Sequence, residues 1–334
     1  MNDLVTHVRL QARGLLSRAD WVTSCCTLHL RSDLPSFDAK FMRAVLAKAL
    51  LRFLSLLPLR VAHGLGALLG ALFWWLPTGL RHVTTANVRH CFPELDINSQ
   101  TALIRANLKE TGKTLLEVGP LWFWEKQRLL DFFVQISGEE AVKKARSEQR
   151  GVIFAGLHLG SWELVGVHLS DRYAVTMMYR PPRLMELEPL IVASRERFGA
   201  HLVPTTAAGV RQLFQVLAQG GCVGILPDQD PGEGSGVFAP FFGQSAYSMT
   251  LLSRLARKTN AAVFFVYAQR LPRAAGYHLH FVPAHLDIAN ANAEIAARHL
   301  NAGVEACVRT LPEQYQWGYK RFKTRAAGDD ELYS

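Results

Sequence analysis

Apolar positions along the chain fall into two regimes. Residues 44–57 and 61–76 are nearly unbroken apolar runs; Lys48 and Arg52 interrupt the first, while the second (VAHGLGALLGALFWWL) carries no charge and stops at Pro77. Beyond Pro93 the pattern becomes that of a folded α/β body. Residues 98–118 and 138–148 have helical periodicity, and 128–137 reads as a mixed segment. Short runs rich in β-branched and aromatic residues then recur: 151–156 (GVIFAG), 174–179 (AVTMMY), 222–226 (CVGIL) and 261–267 (AAVFFVY). These predict buried strands, with 277–282 (YHLHFV) added at the sheet edge. Residues 187–198, 208–219 and 249–259 have the length and spacing of helices between them. The alternation predicts an α/β fold, a mostly parallel central sheet flanked by helices. The organisation expected is an N-terminal extension of weak periodicity (1–41), a basic hydrophobic membrane-attachment segment (42–92), a catalytic domain (93–325) and a tail (326–334).

Composition sharpens the first regime. Hydrophobic residues make up 49% of the chain and charged ones 19%, so part of the apolar surface is expected to meet lipid. The net charge is +9, and residues 39–93 hold seven Lys or Arg and no Asp or Glu, a composition suited to an anionic membrane surface. Nucleic acid is not expected as a partner, because neither helix-turn-helix nor zinc-finger spacing accompanies the charge. A spanning helix needs roughly 20 apolar residues, so 61–76 is a short span, one arm of an embedded hairpin or a buried core helix. In the first two cases Trp74 and Trp75 would sit at the interface. Cys25, Cys26, Cys91, Cys222 and Cys307 form no CxxC pair and are odd in number, which argues against a disulfide framework and for a reducing compartment.

In a sheet of this kind ligands bind beyond the carboxyl ends of the strands. Three predicted strands run into polar residues there: His158 to Glu163 (HLGSWE), Arg180 to Arg183 (RPPR) and Asp228 to Asp230 (DQD). His158, between glycines at a strand end, can stand exposed before a helix that Ser161 would cap. A carboxylate beside it would orient the ring and favour its protonated form, and Glu163 is the nearest in sequence. Five residues on a regular helix are about 140° apart, so the pair requires His158 before the helix and Glu163 in its first turn. GLHLG also has the spacing of a hydrolase nucleophile elbow with histidine in place of serine, which favours general-base attack by an acceptor hydroxyl over an acyl-enzyme. Water as acceptor would make a thioester or ester hydrolase, and loss of activity would leave a lipid-binding protein. Asp228 and Asp230 flanking Gln229 order a loop or contact substrate, and lack the histidines of a catalytic zinc site. Arg195 and Arg197 are either anion-binding or a solvated helix face. The segment 240–243 (PFFG) is either core packing or an acyl-tunnel wall. His278 and His280 share a strand face without a third metal ligand. The basic, aromatic segment 317–325 suits anionic headgroups, an acidic carrier protein or a solvated terminus.

HLGSWE, with its H-x4-E spacing, resembles the signature of the lysophospholipid and lipid A late acyltransferase superfamily. NVRHCFPEL (87–95), YRP (179–181), PDQ (227–229), PFFG (240–243) and QWGYKRFKTR (316–325) resemble blocks of its lauroyl/myristoyl branch, in the expected order. The resemblance implies transfer of a fatty acyl group from an acyl carrier protein or CoA thioester to a hydroxyl of a lipid A precursor or related lipid, at the cytoplasmic face of a bacterial inner membrane. It implies His158 as general base with Glu163 as its partner, Arg180, Arg183, Asp228 and Gln229 as substrate-binding residues, and neither metal nor cofactor. The stretch after YRP lacks the Asn-Pro associated with the branch, so a different acceptor, such as a lysophospholipid, ornithine lipid or glycolipid, stays open.

Overall fold

The computed structural model describes residues 39–182, 184–326, 328 and 331–333. The N-terminal extension up to residue 38 and Arg183 lie outside the described residues. Four helices come first: α1 (Ala39–Ser55), α2 (Leu59–Trp75), α3 (Gly79–Cys91) and α4 (Ile97–Phe123). The α/β body follows as α5 (Lys126–Leu130), β1 (Phe133–Ser137), α6 (Glu139–Ser147), β2 (Val152–Gly160), α7 (Trp162–Tyr173), β3 (Thr176–Tyr179), α8 (Glu188–Glu196), β4 (His201–Pro204), α9 (Ala207–Ala218) and β5 (Cys222–Ile225). It closes with β6 (Gly236–Phe241), β7 (Gln244–Met249), α10 (Leu251–Thr259), β8 (Ala262–Arg270), β9 (Tyr277–Pro283) and α11 (Ala293–Thr310).

Seven strands form one sheet in the order β1-β9-β8-β2-β5-β3-β4. Pairing is parallel from β8 through β2, β5 and β3 to β4, whereas β9 runs antiparallel to β8 and parallel to β1. This is the mostly parallel α/β fold the sequence predicts, with one correction. Residues 277–282 are not the edge, because β1, from the segment read as mixed, pairs outside them. Val134 and Ile136 of β1 remain exposed, so this edge strand carries little of the apolar signal that marks the interior ones. Phe154 and Val152 face α7 on one side of the sheet, and Ile153 and Ala155 face α9, α10 and α11 on the other, as the two-residue period of a strand requires. β6 and β7 make a separate hairpin whose tip, Phe242 (φ 51°) and Gly243 (φ 73°), has the positive φ values of a two-residue turn.

The helices α2 and α4 touch backbone to backbone. A Cβ on Gly70 would stand 2.1 Å from the Leu108 carbonyl oxygen, and one on Gly112 would stand 2.0 Å from that of Gly66. With α4 covering that face, the outward faces of α1 and α2 stay uncovered: Leu46, Phe53, Leu56, Leu68 and Trp75 are exposed, Leu56 and Trp75 by three quarters. Trp74 departs from the expected interfacial position. Its ring lies under the guanidinium groups of Arg81 and Arg105, at 4.7 and 4.4 Å, and packs on the core. No single helix among the described residues is long and apolar enough to cross a membrane; α2 and α3 reach the necessary length only as a pair bent by 83°.

These helices are joined to the sheet by a buried polar cluster. Arg270, at the end of β8, donates from Nε and Nη2 to the two carboxylate oxygens of Glu117 in α4 (2.9 and 2.5 Å) and from Nη2 to the Gly160 carbonyl (3.0 Å). Tyr277 of β9 donates to the same carboxylate at 2.8 Å, and the His63 ring of α2 lies 3.0 Å from it. Burial alone would raise the Glu117 carboxyl, but the charge and hydrogen bonds of Arg270, helped by His63, outweigh it and hold the pKa at about 2. A carboxyl depressed in the folded state stabilises above its unfolded pKa, and that stabilisation is lost as pH falls through the folded value. We expect wild-type stability to decline between about pH 4.5 and 2 for this reason. Glu117→Gln, which leaves the buried Arg270 with only the more distant Glu110 carboxylate at 3.5 Å as counter-charge, should cost about 3 kcal/mol at neutral pH and flatten that acid limb. Denaturant unfolding at pH 7 and pH 3 measures both.

Candidate active site

The site is set by a break in the register of β2. Gly156 pairs with Val266 of β8 and Gly160 with Ala268, so four steps along β2 match two along its neighbour. The extra residues bulge out, a device that re-aims a side chain. Leu157 and Leu159 point into the core and are fully buried, which turns the intervening His158 to the opposite side, toward the cavity. Gly160 closes the bulge with φ 65°, and a Cβ there would lie 2.0 Å from the Ala268 carbonyl oxygen, so no larger residue fits. Ser161 occupies the N-cap of α7 as expected, but its hydroxyl makes no capping hydrogen bond.

The carboxylate bound to His158 is that of Asp228, not of Glu163. Asp228 Oδ1 lies 2.8 Å from His158 Nδ1, and Asp228 Oδ2 accepts the His158 backbone N–H at 2.8 Å. An ionised carboxylate only accepts, so Nδ1 carries the proton and Nε2 keeps its lone pair. The reason is topological. β5 pairs directly with β2, and the loop after β5 therefore emerges beside the bulge. Glu163, one residue into α7, is taken by a cation from another helix: Arg195 of α8 donates to both of its oxygens, from Nε at 3.2 Å and Nη2 at 2.5 Å, and Trp122 Nε1 lies 3.4 Å away. Burial would raise the Glu163 carboxyl; the Arg195 charge and hydrogen bonds, Trp122 and the nearby His158 outweigh it, and the pKa lies below the usual carboxylate value. Arg195 was as readily a solvated helix face in the sequence, and nothing local to its helix signals the contact.

The C-terminal segment supports the loop behind His158. Gln316 N–H donates to the His158 carbonyl at 3.0 Å, and Gln316 Oε1 accepts from Gln229 Nε2 at 2.8 Å. Tyr315 and Tyr319 hydroxyls donate to the Asp228 and Asp230 carbonyls. Asp230 accepts from the Gly232 and Thr324 N–H groups and pairs with Lys323 at 3.6 Å, the loop-ordering role. The same segment is tied down by Asn87, whose amide donates to the Trp317 and Tyr319 carbonyls, and by Asn107, which donates to those of Glu313 and Tyr315. Trp317, Arg321 and Phe322 are buried and form internal scaffold, while Lys320 and Lys323 of the same segment are exposed. Phe241 and Phe242 of the PFFG block pack with Phe92, Trp317 and Phe322 away from the cavity, in keeping with core packing.

The cavity beside His158 has a volume of about 1110 Å³. Glu163, Arg195, Gln229 and Arg180 line it, Arg180 exposed at its rim without a hydrogen bond or ion pair among the described residues. Arg211, Arg254 and Lys258, from α9 and α10, add three exposed cations to its lining. Among the described residues one group has metal-ligand composition: His285, Asp287 and His299, with ligand atoms within 4.8 Å of one another. The two imidazoles stack at 4.4 Å and 12°, so their in-plane lone pairs run in separate planes and do not converge on one ion.

The following similarities make this protein an acyltransferase. More closely, the chain belongs to the bacterial lipid A biosynthesis acyltransferase family, whose sequence profile matches residues 36–324. It is 31% identical over 283 residues to the lipid A biosynthesis palmitoleoyltransferase of Escherichia coli (strain K12), covering 83% of this chain and 90% of that protein. The lauroyltransferase of the same strain is 28% identical over 278 residues, with the same coverage, and its myristoyltransferase 24% over 309 residues, covering 90% of this chain and 94% of that one.

Because Arg195 is the largest influence lowering the Glu163 carboxyl, removing it leaves burial opposed only by Trp122 and His158, and the carboxyl moves up. A step that needs charged Glu163 then starts to fail sooner as the pH falls. We expect Arg195→Gln to move the acid limb of the pH–activity profile upward, and Arg195→Lys to move it less. An unmoved limb in both variants means that the Glu163 charge is not used.

Proposed function

We propose that the protein transfers a fatty acyl group from an acyl carrier protein thioester to a hydroxyl of a lipid A precursor, with His158 as general base. The observation that carries this reading is the His158–Asp228 pair at 2.8 Å, which leaves Nε2 directed at the cavity. The family to which the chain belongs supports the acceptor class. In the proposed step, Nε2 takes the proton of the acceptor hydroxyl as its oxygen attacks the thioester carbonyl carbon. The tetrahedral oxyanion collapses, the carbon–sulfur bond breaks, and the leaving thiolate takes the proton back from Nε2. Asp228 fixes the tautomer and the ring, and the charged Glu163, held by Arg195, favours the imidazolium as it forms. Arg180 is available for an anionic group of the acceptor, and the cations of α9 and α10 suit a phosphate-bearing carrier arm. No residue of this scheme calls for a metal or cofactor.

We propose further that the protein lies on the cytoplasmic face of the inner membrane with the exposed apolar faces of α1 and α2 in the lipid. A row of leucines with Phe53 and Trp75, flanked by exposed Arg43, Lys48 and Arg60, has the composition of an interfacial helix pair on an anionic surface.

Purified protein incubated with labelled acyl carrier protein thioester and a tetraacylated lipid A precursor should yield an acceptor heavier by one acyl group. His158→Ala and Asp228→Asn should each lower that rate by about 10²–10⁴-fold with folding retained. Free fatty acid as sole product would identify a hydrolase, and full activity in His158→Ala would remove the mechanism. Replacing thioester donor by acyl-CoA decides between carriers. Leu46→Glu, Leu68→Glu and Trp75→Glu combined should release the protein from anionic lipid vesicles in a flotation assay without changing its circular dichroism.

A further inference from the structure

The cavity does not end at His158 but continues beneath α7 as an apolar slot in which three side chains are missing. On the sheet face under α7, one register row reads Phe264, Phe154, Gly224, Met177 and Leu202 across β8, β2, β5, β3 and β4. The next row toward the strands' carboxyl ends opens with Val266 and Gly156. Above them, in the middle of α7, stands Gly166. Phe154, Gly156, Gly166, Met177, Gly224 and Val266 all line the cavity.

None of the three glycines is required by its backbone. None has positive φ. A Cβ on Gly166 would find nothing nearer than the Met177 methyl at 3.8 Å, and one on Gly156 nothing nearer than the Leu226 side chain at 3.5 Å. On Gly224 it would come to 3.2 Å of Met177 Cγ, part of a flexible side chain. Gly70 and Gly112, by contrast, have a neighbouring helix backbone at about 2 Å. A glycine in mid-helix costs about 1 kcal/mol relative to alanine, and one inside a strand weakens it. Gly156 and Gly166 leave open volume between α7 and the sheet, and the place of a side chain on Gly224 is taken by Met177.

Met177 crosses that volume. It stands on an interior strand beneath a helix yet stays only half-buried, because its side chain faces the cavity, and its methyl reaches toward Gly166. The slot walls named above carry no charge, whereas Arg211, Arg254 and Lys258 belong to α9 and α10, which pack on the opposite face of the sheet. Phe154 pairs with Phe264, and the bulge sets His158 beside the stretch of β8 between Val266 and Ala268, so the row lies about 10 Å from the reacting centre at ~3.3 Å per residue. An unbranched alkyl chain attached to a carbonyl at His158 fits such a slot.

We propose that Met177 is the end wall of an acyl-chain slot formed by Gly156, Gly166 and Gly224 beneath α7, and that it sets the chain length the enzyme accepts. This rests on the acyl-transfer reading above. Shortening Met177 lengthens the slot; a side chain on Gly166 fills it. Each methylene gained or lost in an apolar pocket is worth several-fold in affinity, so chains two methylenes apart should change their ratio by about tenfold.

The test uses the full chain in detergent, with Met177→Ala, Gly166→Ala and Gly166→Leu, and two readouts. The first is displacement of a fluorescent fatty-acid probe by saturated fatty acids from octanoic to palmitic. The second is the acyl composition of the product made from mixed thioesters and a lipid A precursor. Met177→Ala should move the preferred chain longer by two carbons or more, and Gly166→Leu shorter. Gly166→Ala, an ordinary contact in a helix it favours, gives a smaller shift in the same direction as leucine and covers failure of the leucine variant to fold. Wild-type chain-length profiles in folded Met177→Ala and Gly166→Ala overturn the slot while leaving acyl transfer standing. Shifted binding profiles without transfer to the precursor support the slot and reject the acceptor.

Discussion

Arg270 sits where three parts of the molecule meet. Its guanidinium binds Glu117 of α4 through two hydrogen bonds, the Thr114 hydroxyl one turn earlier, and the carbonyl of Gly160 at the end of the bulged strand. A buried ion pair is weak evidence of net stability, because desolvation of both groups opposes their attraction, but it is strict about geometry. Here the strictness matters more than the energy. The Gly160 carbonyl closes the bulge that presents His158, and Glu117 stands on the helix against which α2, with its exposed apolar face, is packed. The position of His158 and the position of the apolar helices are thereby referred to the same side chain.

Around that reference the site is assembled from pairs that are distant in sequence. Asp228 holds both the ring and the backbone of His158, and Arg195 brings α8 over the first turn of α7 to hold Glu163. Each acid has its own partner, His158 for Asp228 and Arg195 for Glu163. Asp228 is fully buried behind the ring, while Glu163 borders the cavity.

The central strands, the helices between them and the convergence of polar residues at the strand ends were legible because periodicity and chain punctuation are local properties. His158 at a strand end and Glu163 in the first helical turn were legible for the same reason. The pairing of His158 was not. It depends on β5 lying next to β2, a relation between residues 70 apart in sequence. The role of Arg195 depends likewise on how α8 crosses α7. β1 escaped because an exposed edge strand has little apolar pattern, and the β6–β7 hairpin escaped although Gly243 after two phenylalanines was a turn signal. The blocks NVRHCFPEL and QWGYKRFKTR, separate in the sequence, turn out to be one feature, since Asn87 binds the backbone of the second block directly.

That last contact bears on the order in which the protein comes into being. His158 belongs to the middle of the chain, yet the carbonyl of His158 and the loop carrying Asp228 are held by residues 315–324, which in turn lie on Asn87 and Asn107. A ribosome must therefore have delivered residues 315–324 before His158 is gripped from behind. The nascent chain can gather the early helices and the strands of its sheet first, and the support behind the bulge closes only when residues 315–324 fold back onto α3 and α4.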